Sequence, residues 1–411
     1  MPVAPPPLRS NRDFVLLWMG EATSRIGVQI ALIAYPLLVL ALTGSAAKAG
    51  IVAFARTVPW LLFSLPAGAL IDRFNRKSIM IFADLGAVVA LLSIPVAAWL
   101  DSLSLAQIVL VAFADGACGV FFQIAETGAL RSVVPAEQLP DAIAANDARA
   151  YAAGLVGAPF GGALFGLSRV APFLVDGASY LTSLAFVLAT RSDFQEARAR
   201  TTARRLRHEV AEGAKWLWGQ PFLRTALFLV GGSNLVVAGV VLAAVVVAKT
   251  DQGASPFLIG VMLAFVSVGG ILGAIAAPRL RRWLSPRFVV VGFNWVLAVF
   301  VAALALAPNA LVTGVLLALA FFFGPTWNAV VDGYRISIIP DALIGRAQSF
   351  DSLIAFGTAS LGPLIAGLLL ERVGGDATFL IFAAFMVALG VASSLTGSLR
   401  QLASPAVEAS S

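Results

Sequence analysis

The chain has 411 residues, 59% of them hydrophobic and 12% charged, with 28 basic against 22 acidic side chains. Soluble globular chains carry about twice that share of charge, and the mean hydropathy of +0.91 excludes an ordinary water-soluble domain. One cysteine, Cys118, and one histidine, His208, leave no material for a disulfide framework or a His-rich metal site, so neither a metal nor a cofactor is expected.

The opening, Met1 to Arg9, puts prolines where a signal peptide needs an apolar core. A cytoplasmic N-terminus with a retained first helix is the simplest expectation. A membrane-spanning helix needs roughly 20 apolar residues. Twelve such runs follow, near 14–42, 47–70, 78–100, 105–128, 142–167, 171–190, 222–248, 256–277, 286–307, 310–333, 347–370 and 377–398. Backbone in lipid must satisfy its own hydrogen bonds, so each run predicts a helix.

The first run carries Glu21, Ser24, Arg25 and Gln29 at helical spacing, one polar stripe on an apolar helix that is expected to face a water-filled cavity. Arg56 in the second run and Asp115 in the fourth lie near the midplane, with Gly119, Phe122 and Glu126 continuing the Asp115 face. Ionisable groups inside a membrane are costly and are kept with a partner or a role. With the first and fourth helices lining the cavity, as the family resemblance set out below implies, Asp115 is predicted to pair with Arg25 or Arg56, and Asp176 in the sixth run is a secondary candidate. Together Asp115, Arg25, Arg56, Glu21 and Asp176 are the candidates for midplane charge and proton coupling. The bland alternative is an ion pair that merely neutralises buried charge.

The longest polar stretch, 191–220, is rich in arginine, and its part from Glu212 to Trp218 reads either as an amphipathic surface helix or as a solvated linker. It divides the chain into an N-terminal six-helix bundle (1–190) and a C-terminal one (221–398), followed by a cytoplasmic tail (399–411). The second half holds no midplane charge. It offers Asn234, Phe321 to Phe323, Trp327 and Asn328, and the substrate cavity is predicted to be lined by Gln29, Phe122, Asn234, Trp327 and Asn328. Asp84, Asp332 and Asp351, with Asp72, Arg335 and Arg346, are expected to form a charge network at an inner gate.

Most basic residues fall on the connections that a cytoplasmic N-terminus puts inside; the other side holds Lys48, Arg169, Lys249 and Arg372. Topology, not nucleic acid, accounts for the net charge of +6. The halves also resemble each other. Ser132-Val-Val-Pro135 matches Ser337-Ile-Ile-Pro340, and Pro278 to Arg282 falls on Asp72 to Arg76 at nearly the same offset. Repeated six-helix halves with a binding site near the midplane are a transporter architecture. A nucleotide-driven pump is disfavoured by the absence of a G-x-x-x-x-G-K-[ST] loop, and an integral-membrane enzyme by the lack of clustered nucleophiles or ligands.

Residues 68–77 read Gly-Ala-Leu-Ile-Asp-Arg-Phe-Asn-Arg-Lys between the second and third runs. Gly68 suits close helix approach, Asp72 the positive end of a helix, and Arg73, Arg76 and Lys77 anchor the loop inside. Asn75 stands where the pattern usually has glycine, a swap that left-handed backbone tolerates. This loop resembles the signature of the major facilitator superfamily. The opening Asn11-Arg12-Asp13-Phe14, then Leu17-Trp18 and Ser24-Arg25-Ile26-Gly27, is similar to the enterobactin-exporter-like branch, also called transmembrane secretion effectors. So are Pro340 to Arg346 and Leu361-Gly362-Pro363 with Gly367. Gly157, Pro159, Gly161 and Gly162 resemble a glycine-proline motif of exporters, with the proline one place late; glycines at this spacing also serve helix packing alone.

The resemblance implies an all-α integral membrane protein of twelve helices in two pseudo-symmetric six-helix bundles. It further implies a multi-pass protein of a bacterial inner membrane with both termini cytoplasmic. Its expected function is proton-coupled export, by alternating access, of a small amphipathic organic molecule (a siderophore, antibiotic or drug), with import of a nutrient as the alternative. The expected partners are that substrate, protons and the lipid bilayer, and a monomer is the default. Many members of the branch carry an acid after the first-helix glycine; here Val28 follows Gly27, so that proton site does not carry over.

Overall fold

The computed structural model describes residues 7–71, 73–192, 194, 215–216, 218–339 and 344–396. Among them there are helices and connections and no strands. The long helices, in chain order, are α1 (Arg12–Thr43), α2 (Ala46–Ile71), α3 (Arg76–Trp99), α4 (Leu105–Val133), α5 (Leu139–Leu167) and α6 (Ala171–Ala189). They continue as α7 (Pro221–Thr250), α8 (Pro256–Trp283), α9 (Pro286–Leu304), α10 (Ala310–Phe322), α11 (Gly324–Ile338) and α12 (Ile344–Leu395).

Local chemistry sets many of the ends. The side chains of Asn11, Asn75, Ser104, Ser285 and Asn309 accept hydrogen bonds from backbone N–H groups in the first turns of α1, α3, α4, α9 and α10, satisfying donors the helix itself leaves open. Gly44 ends α1 in the left-handed conformation, where glycine meets no steric penalty. Asn75 corrects one expectation: it has φ −62° and ψ 121°, so it serves the turn as an N-cap and not through left-handed backbone.

Eleven described stretches are long and apolar enough to cross a membrane. The last, Asp351–Leu395, has 45 residues, and at about 1.5 Å per residue it is long enough to cross twice. Gly374, with φ 80° and ψ 179°, breaks it between the eleventh and twelfth predicted runs. The predicted run at 310–333 is divided instead, at Phe323. Pro325 follows there, and proline starts a helix more readily than it continues one.

The helices gather into two compact units. The first comprises the described residues within 1–44, 55–203 and 255–260. In it α1 packs against α6 and α5, and α3 against α4 and α6. Leu17, Met80, Val120, Ala125 and Val187 form a buried cluster there. Small residues allow these approaches. A Cβ on Gly161 would lie 2.8 Å from Ile30 Cα, and one on Gly116 would strike the Arg56 carbonyl oxygen.

The second unit comprises residues within 45–54, 204–254 and 261–411. Here α7 and α9 pack on α12, around Phe222, Leu227, Val290, Trp327 and Val331. Glu371 accepts hydrogen bonds from Ser45 Oγ (2.7 Å) and Ala47 N (2.9 Å), placing a carboxylate at the first turn of α2 where the helix dipole favours it. Outward residues such as Phe82, Val89 and Leu110 are exposed in the protein alone. In a bilayer these are the side chains that meet lipid.

Candidate functional site

The first unit holds the charged interior. Arg56 Nε donates to Asp115 Oδ2 at 2.9 Å, and Tyr180 Oη donates to Asp115 Oδ1 at 3.2 Å. Both oxygens of this buried carboxylate are thus engaged from different helices. The guanidinium also lies 5.5 Å from the Tyr35 ring centroid, a cation–π contact, and Arg56 Nη2 reaches the Val28 carbonyl at 3.5 Å. Of the two partners open to Asp115 on sequence grounds, the structure selects Arg56. Gly116, next to Asp115, lets α4 come close enough to α2 for the pair to form.

Arg25 pairs instead with Glu21 on its own helix, Nε to Oε1 at 2.7 Å. Arg149 of α5 joins this cluster, with Nη2 at 3.5 Å from Glu21 and 3.8 Å from Glu126. Asn146 donates to Glu126 Oε1 at 3.4 Å. Arg149 packs over the Trp18 ring, 6.0 Å from its centroid. Sequence reasoning did not assign Arg149, Tyr180 or Tyr35. An arginine inside the apolar run 142–167 was the available signal for the first; a tyrosine in an apolar helix carries none.

Asp176 of α6 is completely buried. Ser179 Oγ donates to its Oδ1 at 3.3 Å, while Oδ2 has no partner. A Cβ on Gly27 would strike both Asp176 Oδ1 and Ser179 Oγ. The acid absent from α1 after Gly27 is therefore answered by one that α6 presses against Gly27 itself.

A cavity of about 160 Å³ opens among Glu21, Ser24, Arg25, Arg56, Asp115 and Tyr180. Phe122, Gln123, Trp60 and Gly119 complete much of its wall. Three members of the α1 stripe, and Phe122, lie where the sequence predicted. Gln29 is not among these lining residues; its Cβ lies 2.8 Å from where a Cβ on Gly157 would sit. In the second unit Asn234 Nδ2 donates to the Ala355 carbonyl at 3.5 Å, tying α7 to α12. Trp327 is buried in the second unit's core, 5.3 Å from the Phe293 ring. Asn328 is exposed.

The signature loop proves partly structural. Arg76 is 2% exposed and donates through Nη1 to the carbonyls of Gly128 and Phe194, each at 2.9 Å. Lys77 Nζ donates to the Thr190 carbonyl at 2.7 Å. Arg73 is exposed, and Asp72 lies outside the described residues. No described atom comes within 4 Å of a Cβ built on Gly68.

The glycines of α5 do sit at contacts. Gly157 and Gly161 face α1, and Gly162 faces the first turn of α8, at Pro256. In the second unit Gly362 meets the Leu235 carbonyl, and Gly367 and the Pro363 carbonyl meet Gly50. Of the predicted gate network, Arg335 Nη1 bonds Asp351 at 2.9 Å and Asp332 at 3.3 Å; the Arg346 side chain lies outside what is described. Asp84 does not join it. It is buried two turns inside α3, beside Ser183 of α6.

Twelve crossings with a charged cavity of about 160 Å³ inside one unit define a multi-pass membrane transporter of small molecules. The chain belongs to the transmembrane secretion effector family of the major facilitator superfamily, whose model matches residues 3–411. It is 28% identical to the multidrug efflux pump Tap of Mycolicibacterium fortuitum, over 94% of this chain and 96% of that protein. It is 22% identical to the MFS-type transporter YfiS of Bacillus subtilis, over 94% and 93%. Among solved structures it resembles the nucleoside transporter NupG, with a TM-score of 0.71 at 14% identity over 93% of this chain and 98% of that one. A bacterial homologue of the lysosomal transporter Spinster gives 0.72 at 14% identity over 96% and 99%. These likenesses are of fold. The chain is thus a multi-pass protein of a bacterial membrane, as the twelve runs implied.

Proposed function

We propose that this transporter exports a lipophilic organic cation in exchange for protons, by alternating access, as a monomer with both termini in the cytoplasm. In this reading residues 1–190 and 221–398 are the two six-helix halves, 191–220 their linker and 399–411 a cytoplasmic tail. The name of the Mycolicibacterium relative, a multidrug efflux pump, supports export of drugs.

The observation that carries the reading is Asp115, a buried carboxylate on the cavity wall shared by Arg56 and Tyr180. Four charged groups line the cavity: Glu21, Arg25, Arg56 and Asp115. When all are ionised they cancel, and the aromatic rings of Trp60 and Phe122 offer an apolar, polarisable wall that suits an organic cation. A proton on Asp115 leaves the wall with one net positive charge and frees Arg56. A bound cation is then repelled at close range in a low-dielectric site, where such repulsion is strong. Proton entry and cation exit become mutually exclusive occupancies of one cavity, which is the requirement for antiport.

The test is transport by purified protein in proteoliposomes under an imposed pH gradient, with a fluorescent lipophilic cation and a catecholate siderophore as the two probes. Wild type is expected to move the cation against its gradient. Asp115→Asn, whose cavity holds the net positive charge of the protonated state, is expected to bind the cation more weakly than wild type and to lose gradient-driven transport by at least tenfold. Normal coupling in Asp115→Asn, or gradient-driven movement of the siderophore alone, would overturn the proposal.

A further inference from the structure

Glu21, Asp115 and Glu126 each lie within 4 Å of a guanidinium: Glu21 beside Arg25 and Arg149, Asp115 beside Arg56, Glu126 beside Arg149. Asp84 has no such neighbour among the described residues. It is 0% exposed, and neither carboxyl oxygen has a hydrogen-bond partner.

Among the described residues, the polar and titratable groups around it come from α6, α1 and α4. From α6 these are the Ser183 hydroxyl, which falls short of hydrogen-bond geometry, and Tyr180. From α1 there is Glu21, and from α4 the Cys118 thiol. None of these is a cation. An ionised carboxylate in that position would bear its full desolvation cost with no donor to offset it. The neutral acid carries no such cost. Retaining an acid where an apolar residue would pack without penalty calls for a use of its proton.

Position supplies that use. Two of its neighbours, Glu21 and Tyr180, line the cavity, and Tyr180 donates to Asp115. Asp84 is not itself among the lining residues and is fully buried, so it stands behind them. We propose that Asp84 is a second proton-carrying residue of the transport cycle, loaded and unloaded through the wall that Glu21 and Tyr180 form. Its O–H bond breaks when the proton passes to the Glu21 carboxylate or to cavity water, and re-forms from a proton delivered through the cavity; no other bond changes. The inference rests on the proton-coupled reading above and adds to it a stoichiometry: Asp115 and Asp84 each carry a proton, so two enter per substrate expelled.

Two measurements test this. The first is the steady accumulation ratio of the lipophilic cation in proteoliposomes against the imposed proton gradient, with membrane potential clamped. In wild type the ratio is expected to rise as about the square of the gradient, and in Asp84→Asn as about its first power, with binding of the cation within about twofold of wild type. A first-power dependence in wild type, an unchanged square law in Asp84→Asn, or loss of binding in step with transport would overturn the assignment.

The second is infrared difference spectroscopy of detergent-purified protein on adding the cation. A protonated-carboxyl band that changes with the cation in wild type and is missing in Asp84→Asn is the expected signature. A band unaltered by the variant would count against Asp84 whatever the transport assay gives. Absence of any gradient-driven transport in wild type would sink the antiport reading, while this spectrum still decides whether Asp84 holds an exchangeable proton.

Discussion

Asp115 and Arg56 illustrate what a single buried charge demands of its neighbours. Removing one partner of a buried pair strands the other and costs about 3–5 kcal/mol, whereas replacing both with neutral groups of similar shape is often nearly neutral. Asp115→Asn is therefore expected to lower the detergent-solution melting temperature, and Arg56→Gln in the same chain to restore most of it. A double variant no more stable than Asp115→Asn would show that the pair contributes nothing as a pair. Gly27 sets a steric rule at the same scale. Since Asp176 and Ser179 occupy the space a side chain would need, Gly27→Val is expected to abolish monodisperse folded protein in size-exclusion chromatography. Close packing without a cavity leaves such a residue nowhere to relax.

At the level of the elements, glycine and arginine do different work from that suggested by motif reading alone. Gly161 of α5 faces Ile30 with no room for a side chain, whereas Gly166 of the same helix has no described atom within 4 Å of a built Cβ. Gly161→Leu is expected to destroy the α1–α5 contact and the folded yield, and Gly166→Ala to leave the yield unchanged. Equal yields for the two would mean that α5 tolerates displacement. Arg76 joins the end of α4, at the Gly128 carbonyl, to the chain after α6, at the Phe194 carbonyl. Charge-assisted hydrogen bonds of this kind contribute about 1.5–3 kcal/mol each. Arg76→Gln should lower stability measurably while binding of a lipophilic cation to the surviving folded protein is retained. Asp13 makes a parallel link, accepting from the backbone of Arg191 and Ser192 and from the Ser192 hydroxyl. The basic loop had been legible as a topological signal; its second role as a clamp on helix ends was not, because carbonyl acceptors carry no sequence identity.

Over the whole chain, the distribution of basic residues makes an orientation testable. With both termini cytoplasmic, Asp101 after α3 lies outside and Arg279 near the end of α8 lies inside. In a Cys118→Ser background, Asp101→Cys should react with an impermeant maleimide in intact cells, and Arg279→Cys only after permeabilisation. The reverse pattern would invert the topology and, with it, the direction of the proposed exchange.

The length and apolarity of the runs determined by themselves that this is a twelve-crossing helical membrane protein, because lipid leaves the backbone no other way to satisfy its hydrogen bonds. The signature loop and flanking motifs identified the family for the same local reason: they are contiguous in sequence. The α1 stripe of Glu21, Ser24 and Arg25 was readable as a cavity face, since helical periodicity alone sets which residues share a side. Tertiary structure decided the rest. It chose Arg56 over Arg25 for Asp115, brought Tyr180 and Arg149 into the charge clusters, and left Asp84 with no cation within 4 Å among the described residues. Partners that lie on different helices, 59 residues apart for Arg56 and Asp115 and 65 for Asp115 and Tyr180, are set by rotation and close approach of those helices. No periodicity within one helix encodes that.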